Sequence, residues 1–242
     1  MMKGQSNATA GRTEESGDST VIADCLIESF TENEDGTYEY ILDFGEGCDI
    51  FGETFKGKLI ERGSYQDDTF EASTIYEGFG SDYWEINGSY SYSGTWNFEY
   101  EDMDSLDFDW SAEYNYSFDL QESYEDKGET FTVESTGKGK ERSDEQGFTV
   151  LEQENLFQYS TGESYSSKVE EELFMNFDCE EVFIFVRGLE SGVYEDTEGS
   201  VTYSVNYGDG ECDNIILVTE NGEEFTIDLD EAYDELGDDT DD

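Results

Sequence analysis

"LDFDWSAEYNYSFDL", Leu106 to Leu120, decides the fold. Leu106, Phe108, Trp110, Ala112, Tyr114, Tyr116, Phe118 and Leu120 are apolar or aromatic, whereas Asp107, Asp109, Ser111, Glu113, Asn115, Ser117 and Asp119 are polar. Successive side chains of a strand point to opposite faces, so this alternation describes one long strand with one wet face and one apolar face. Such an apolar face must be covered, by a second sheet or by the sheet curling on itself.

The preceding stretch keeps the same parity, with Trp84, Ile86, Tyr90, Tyr92, Trp96, Phe98 and Tyr100 at even positions beside Gly88 and Gly94. A two-residue hairpin at Asn87-Gly88 would pair Ile86 with Ser89 and turn the aromatics into water. Either the strand runs through Gly88, or the loop there has three residues. Further strands are expected over 21–30, 37–44, 57–62, 69–76, 130–134, 148–152, 157–159, 165–174, 182–187, 201–207, 215–219 and 224–229, punctuated by turns at Asp35-Gly36 and Asn221-Gly222. No helical period repeats. The expected fold is all-β, a mainly antiparallel meander with long strands, curled into a sandwich or partly closed barrel. Residues 1–20 read as a flexible polar tether, 21–229 as a single all-β domain, and 230–242 as a solvated acidic tail with room for a helical turn or two.

Composition narrows the chemistry. Acidic residues number 64 against 11 Lys+Arg, a formal charge of -53. Self-repulsion on this scale calls for screening, which points to a marine or halophilic medium. Aromatic content of 15% argues against a disordered acidic chain. The charge speaks against nucleic-acid binding, which depends on Lys and Arg displacing counterions. There is no histidine, so Ser-His-Asp hydrolysis, Cys-His proteolysis and His-ligated zinc are excluded. No apolar run is long enough for a membrane helix.

Cys25, Cys48, Cys179 and Cys212 are even in number and lack C-x-x-C spacing, so they read as two disulfides formed in an oxidising compartment. Two near-repeated phrases, "DFGEGCDI" from Asp43 and "NYGDGECDN" from Asn206, put a cysteine beside a Gly-rich turn near each end. A hairpin centred on Asp35-Gly36 sets Cys25 opposite Glu46, a short step from Cys48. A connection centred near Glu195-Asp196 sets Cys179 opposite Cys212. The expected pairs are therefore Cys25–Cys48 and Cys179–Cys212.

Asp209, Glu211 and Asp213 alternate along the second Gly-rich turn, an arrangement that can gather oxygen ligands around calcium, and Asp43, Glu46 and Asp49 form a weaker equivalent. Neither is an EF-hand. Trp84, Trp96 and Trp110 could stack sugars if exposed, but their shared parity with the other aromatics makes them core positions. The basic cluster Lys138, Lys140 and Arg142 around Gly137 and Gly139 lacks the strand-to-helix transition of a phosphate loop. A pair of carboxylates is available everywhere in so acidic a chain, so catalytic residues are assigned to none.

Four segments carry a resemblance: residues 24–60, 82–96, 178–194 and 199–229. Asp43 to Cys48, Lys56 to Lys58, Ile86 to Gly88, Cys179 to Gly188 and Tyr207 to Asn214 resemble the motifs of an uncharacterised family of flavobacterial (Bacteroidota) envelope lipoproteins. The resemblance implies exposure at or beyond the cell envelope and no particular activity. The expected function is a non-enzymatic, exported or cell-surface β-sheet protein with a structural or interaction role. Its partner would be an envelope or extracellular polysaccharide or protein, and calcium is the one candidate cofactor. The alternative is a carbohydrate-binding or carbohydrate-cleaving module, which a row of exposed tryptophans beside two carboxylates would favour.

Overall fold

The computed structural model describes residues 6–9, 24–100, 108–126, 129–179 and 184–229. They form β1 (Ser6–Thr9), β2 (Ile27–Glu32), β3 (Thr37–Ile50), β4 (Glu53–Gln66), β5 (Thr69–Gly80), β6 (Trp84–Tyr100), β7 (Phe108–Asp126), β8 (Glu129–Asp144), β9 (Gly147–Tyr159), β10 (Ser164–Asn176), β11 (Arg187–Glu195), β12 (Ser200–Asp209), β13 (Ile215–Glu220) and β14 (Glu223–Asp228). Each strand hydrogen-bonds to the next in sequence, which makes one antiparallel meander with β1 and β14 as its edges. The expected all-β class and long strands are present, and the sheet is not closed into a barrel.

The alternation that identified β7 is realised in its burial. Ser111, Asn115, Ser117, Asp119 and Gln121 are exposed, while Ala112 is buried and Trp110, Tyr114, Tyr116, Phe118 and Leu120 are half-buried. β6 runs straight through Gly88, the first of the two readings of that segment. A Cβ there would stand 2.1 Å from the Asp119 carbonyl oxygen on β7, so only glycine lets the two backbones approach. Asn221 (φ 50°) and Gly222 (φ 87°) make the two-residue turn that joins Glu220 to its partner Glu223.

Three expectations are corrected. Ser6–Thr9, inside the stretch read as a tether, pairs with Ile27–Phe30; edge pairing uses backbone groups and leaves no side-chain pattern. Two short strands expected over 148–152 and 157–159 are one, β9. The strand expected over 182–187 is absent at residues 184–186, while 182 and 183 lie outside the described residues. Its place beside β12 is taken by β11, whose sequence RGLESGVYE lacks alternation. The apolar run misled because its side chains plug the core: Val186 is 1% exposed, and Ile184 and Phe185 pack against buried clusters. The acidic tail 230–242 lies outside the described residues.

Two compact units divide the strands. The first holds β1–β5, β6 up to Gly94, β7 from Tyr116, β8 up to Thr136 and the end of β9. Its buried cluster is Leu26, Phe44 and Cys48, packed by Leu42, Ile50, Phe55 and Phe79. The second holds the remainder of β6–β9 and all of β10–β14. Its clusters are Val150, Val169 and Leu173, and Cys179 with Val186. Each unit thus centres its core on or beside a cysteine.

Candidate functional site

Both disulfides are formed as expected, Cys25–Cys48 and Cys179–Cys212, each with Cα atoms 5.4 Å apart. The first follows from the β2–β3 hairpin, where Ile27 faces Asp43, while on the other side of β3 its pairing with β4 shifts register between Asp43 and Cys48. The register differs by one residue from the expected one, since this pairing continues Cys25 toward Gly45 rather than Glu46. The second arises differently from the expectation. Glu195 pairs with Ser200, so the hairpin turns later, and Cys179 and Cys212 lie beyond β10 and β12 rather than opposite each other on strands. The bridge ties the two loops together around Val186, whose N–H donates to the Phe174 carbonyl and whose carbonyl accepts from the Gly210 N–H. Closing loops of 23 and 33 residues contributes on the order of 3–4 kcal/mol each in the chain-entropy account.

The acidic turn follows the second bridge. Asp209, Glu211 and Asp213 line a cavity of about 370 Å³ together with Val186, Asn206 and Ile215. Asp213 Oδ1 accepts from the Ile215 N–H at 3.3 Å, and Asn206 Oδ1 accepts from the Gly208 N–H at 2.9 Å. These side chains cap their own turn. Among the described residues no group of three or more Asp, Glu, Cys or His is placed to hold a metal ion. At the equivalent turn Asp43 is committed to Lys58 Nζ at 3.0 Å and to the Gly45 N–H at 2.9 Å.

Trp84, Trp96 and Trp110 are all half-buried, neither core residues nor an exposed row. Trp84 meets Phe79 edge-on at 5.5 Å, at the margin of the first unit's core. The basic cluster lies within β8 and is neutralised from both sides: Lys138 pairs with Glu154 of β9 at 3.0 Å and Lys140 with Glu113 of β7 at 2.7 Å.

Tyrosine networks, which the alternation located but could not connect, carry the least ordinary electrostatics. In the second unit the Tyr165 and Tyr203 hydroxyls hydrogen-bond at 2.5 Å, and their rings stack at 6.0 Å. Tyr203 lies over Gly192, where a Cβ would come within 2.3 Å of its hydroxyl oxygen. Burial pushes the Tyr207 phenol up to about 12, aided by Glu190, and raises Tyr203 further. Burial also raises the Glu190 carboxyl, partly offset by its hydrogen bond with Tyr207. In the first unit Tyr38 donates to Glu61 Oε1 at 2.6 Å and stacks on Tyr65 at 5.6 Å. Phenols so far above neutrality stay protonated; they donate hydrogen bonds and supply no phenolate nucleophile. The sequence signal for these networks was tyrosine on the apolar parity opposite glycine. Among the described residues no helix is long and apolar enough to cross a membrane. Comparison of the chain with models of protein families, with curated proteins and with solved structures finds no match in any of the three.

Proposed function

We propose that this chain is a non-enzymatic, exported β-sheet protein, exposed at the cell surface or secreted, with a structural or interaction role. The observation that carries the reading is the pair of disulfides set in or beside the cores of both units, since such bridges persist in oxidising compartments. The acidic surface and the resemblance to flavobacterial envelope lipoproteins support exposure to a marine or salty exterior. The lack of histidine supports a role without histidine-based acid–base chemistry. A polysaccharide or protein of the envelope is the partner in this reading. Antibody labelling of intact source cells, compared with lysed cells, tests it. Labelling of intact cells or recovery from the medium is expected; a signal that appears only after lysis, in the cytosolic fraction, would overturn it.

A further inference from the structure

We propose that Lys56 and Asn87 are the partners of an intramolecular isopeptide bond, formed once after folding and joining β4 to β6 across β5. Glu85 bridges the two side chains that this reaction would join. Glu85 Oε2 accepts from Lys56 Nζ at 3.0 Å, and Glu85 Oε1 accepts from Asn87 Nδ2 at 3.0 Å. Asn87 Oδ1 accepts from the Gly78 N–H at 2.7 Å. A backbone N–H can only donate and a carboxylate only accept, so the amide orientation is fixed. One carboxylate therefore contacts both the nucleophilic nitrogen and the leaving nitrogen, while a backbone donor sits on the oxygen where negative charge develops.

The backbone is shaped around this cluster. Pairing of β4 with β5 slips between Lys56 and Lys58, a bulge that re-aims Lys56. Gly57 (φ 79°) and Gly78 (φ 59°) adopt left-handed conformations, and a Cβ on Gly57 would stand 2.1 Å from the Gly78 carbonyl oxygen. The nearest atom to a Cβ at Gly78 would be Glu85 Cδ, at 4.0 Å. The side chain of Lys56 thus meets Glu85 above a stretch of β5 that carries no side chain at Gly78 and Gly80. The ion pair itself is exposed, with the two side chains 39% and 38% accessible; the bulge and the amide held at both its oxygen and its nitrogen set it apart.

The step balances without oxidant or cofactor. Lys56 passes a proton to Glu85, and the neutral Nζ attacks Asn87 Cγ to form the new C–N bond. Oδ1 takes up the charge against the Gly78 N–H. Glu85 hands its proton to Nδ2, the Cγ–Nδ2 bond breaks, and the second proton lost by Nζ leaves with the ammonia. In sum an ammonium and a primary amide become a secondary amide and ammonium, with Glu85 returned as carboxylate. The hydrogen bond from Lys56 holds the Glu85 carboxyl below its usual range.

Intact-mass measurement of the full chain with its disulfides reduced, followed by proteolytic mapping, tests the bond. The wild type, incubated folded at mildly alkaline pH, should be lighter than its sequence by one ammonia and yield a branched peptide joining the Lys56 and Asn87 segments. Lys56→Arg, which keeps a cation beside Glu85, and Glu85→Gln should both show the unmodified mass. A succinimide at Asn87-Gly88 would lose the same ammonia, but it leaves a linear peptide and persists in Lys56→Arg; that result overturns the proposal. So does an unshifted wild-type mass. Should either variant fail to fold, the presence or absence of the branched wild-type peptide decides alone.

Discussion

Trp110 occupies the apolar parity of β7, half-buried rather than enclosed, one strand position pair from the buried Ala112. A tryptophan removed from a full core costs about 3–5 kcal/mol, and the partial cover here lowers that to roughly 1–3 kcal/mol for Trp110→Ala. Thermal and denaturant unfolding should show the loss. A variant as stable as the parent would mean that the even-numbered face of β7 shields nothing. The same reasoning distinguishes Trp84, whose edge-on contact with Phe79 ties it to the first unit's core, from a ring waiting for a sugar. Residues with raised phenol pKa values belong to this scale too. Burial, aided by Glu190, raises the Tyr207 phenol, so the stability linked to its protonated form is present below the ordinary phenol value of 10.0 and is lost as pH rises toward the folded value of about 12.

At the scale of elements, the close contact between β11 and β12 rests on Gly192 beneath the Tyr203 ring. Gly192→Ala would push a methyl against both that ring and the Ser166 carbonyl oxygen on β10, 2.4 Å away, which is backbone and has little room to yield. A loss of about 1–3 kcal/mol is expected, as for other overpacked sites. An unchanged midpoint would mean that Tyr203 does not lie over the glycine. Strand existence was legible wherever alternation was strong, as in β7, where Tyr114, Tyr116 and Phe118 share a face. It failed at β11, because the Ser191-Gly192 pair interrupts the pattern and its large neighbours come from other strands. It also failed at residues 184–186, where three consecutive apolar side chains serve as a plug. The disulfide partners were legible from hairpin arithmetic, though the second pair is joined through loops. The Lys56, Glu85 and Asn87 cluster was not, because it depends on a bulge and on glycines of a third strand, neither of which leaves a periodic trace.

At the scale of the whole molecule, the charge of -53 sets the conditions under which the sheet holds together. Ion pairs among the described residues, such as Arg62 with Glu39 at 2.7 Å, are exposed or nearly so, and each offsets repulsion only slightly. Screening must do the rest. The unfolding midpoint should climb between about 10 mM and 1 M salt, as the Debye length falls from roughly 30 Å to about 3 Å. A flat midpoint over that range would contradict the dependence on a salty medium.

The proposed export of the chain and the two disulfides both bear on the state of the four cysteines. The most direct measurement is alkylation of thiols in intact source cells, followed by non-reducing peptide mapping of the recovered protein. No alkylated cysteine is expected, with one linked peptide pair for Cys25–Cys48 and another for Cys179–Cys212. Four alkylated thiols, or a peptide joining Cys25 or Cys48 to Cys179 or Cys212, would contradict it.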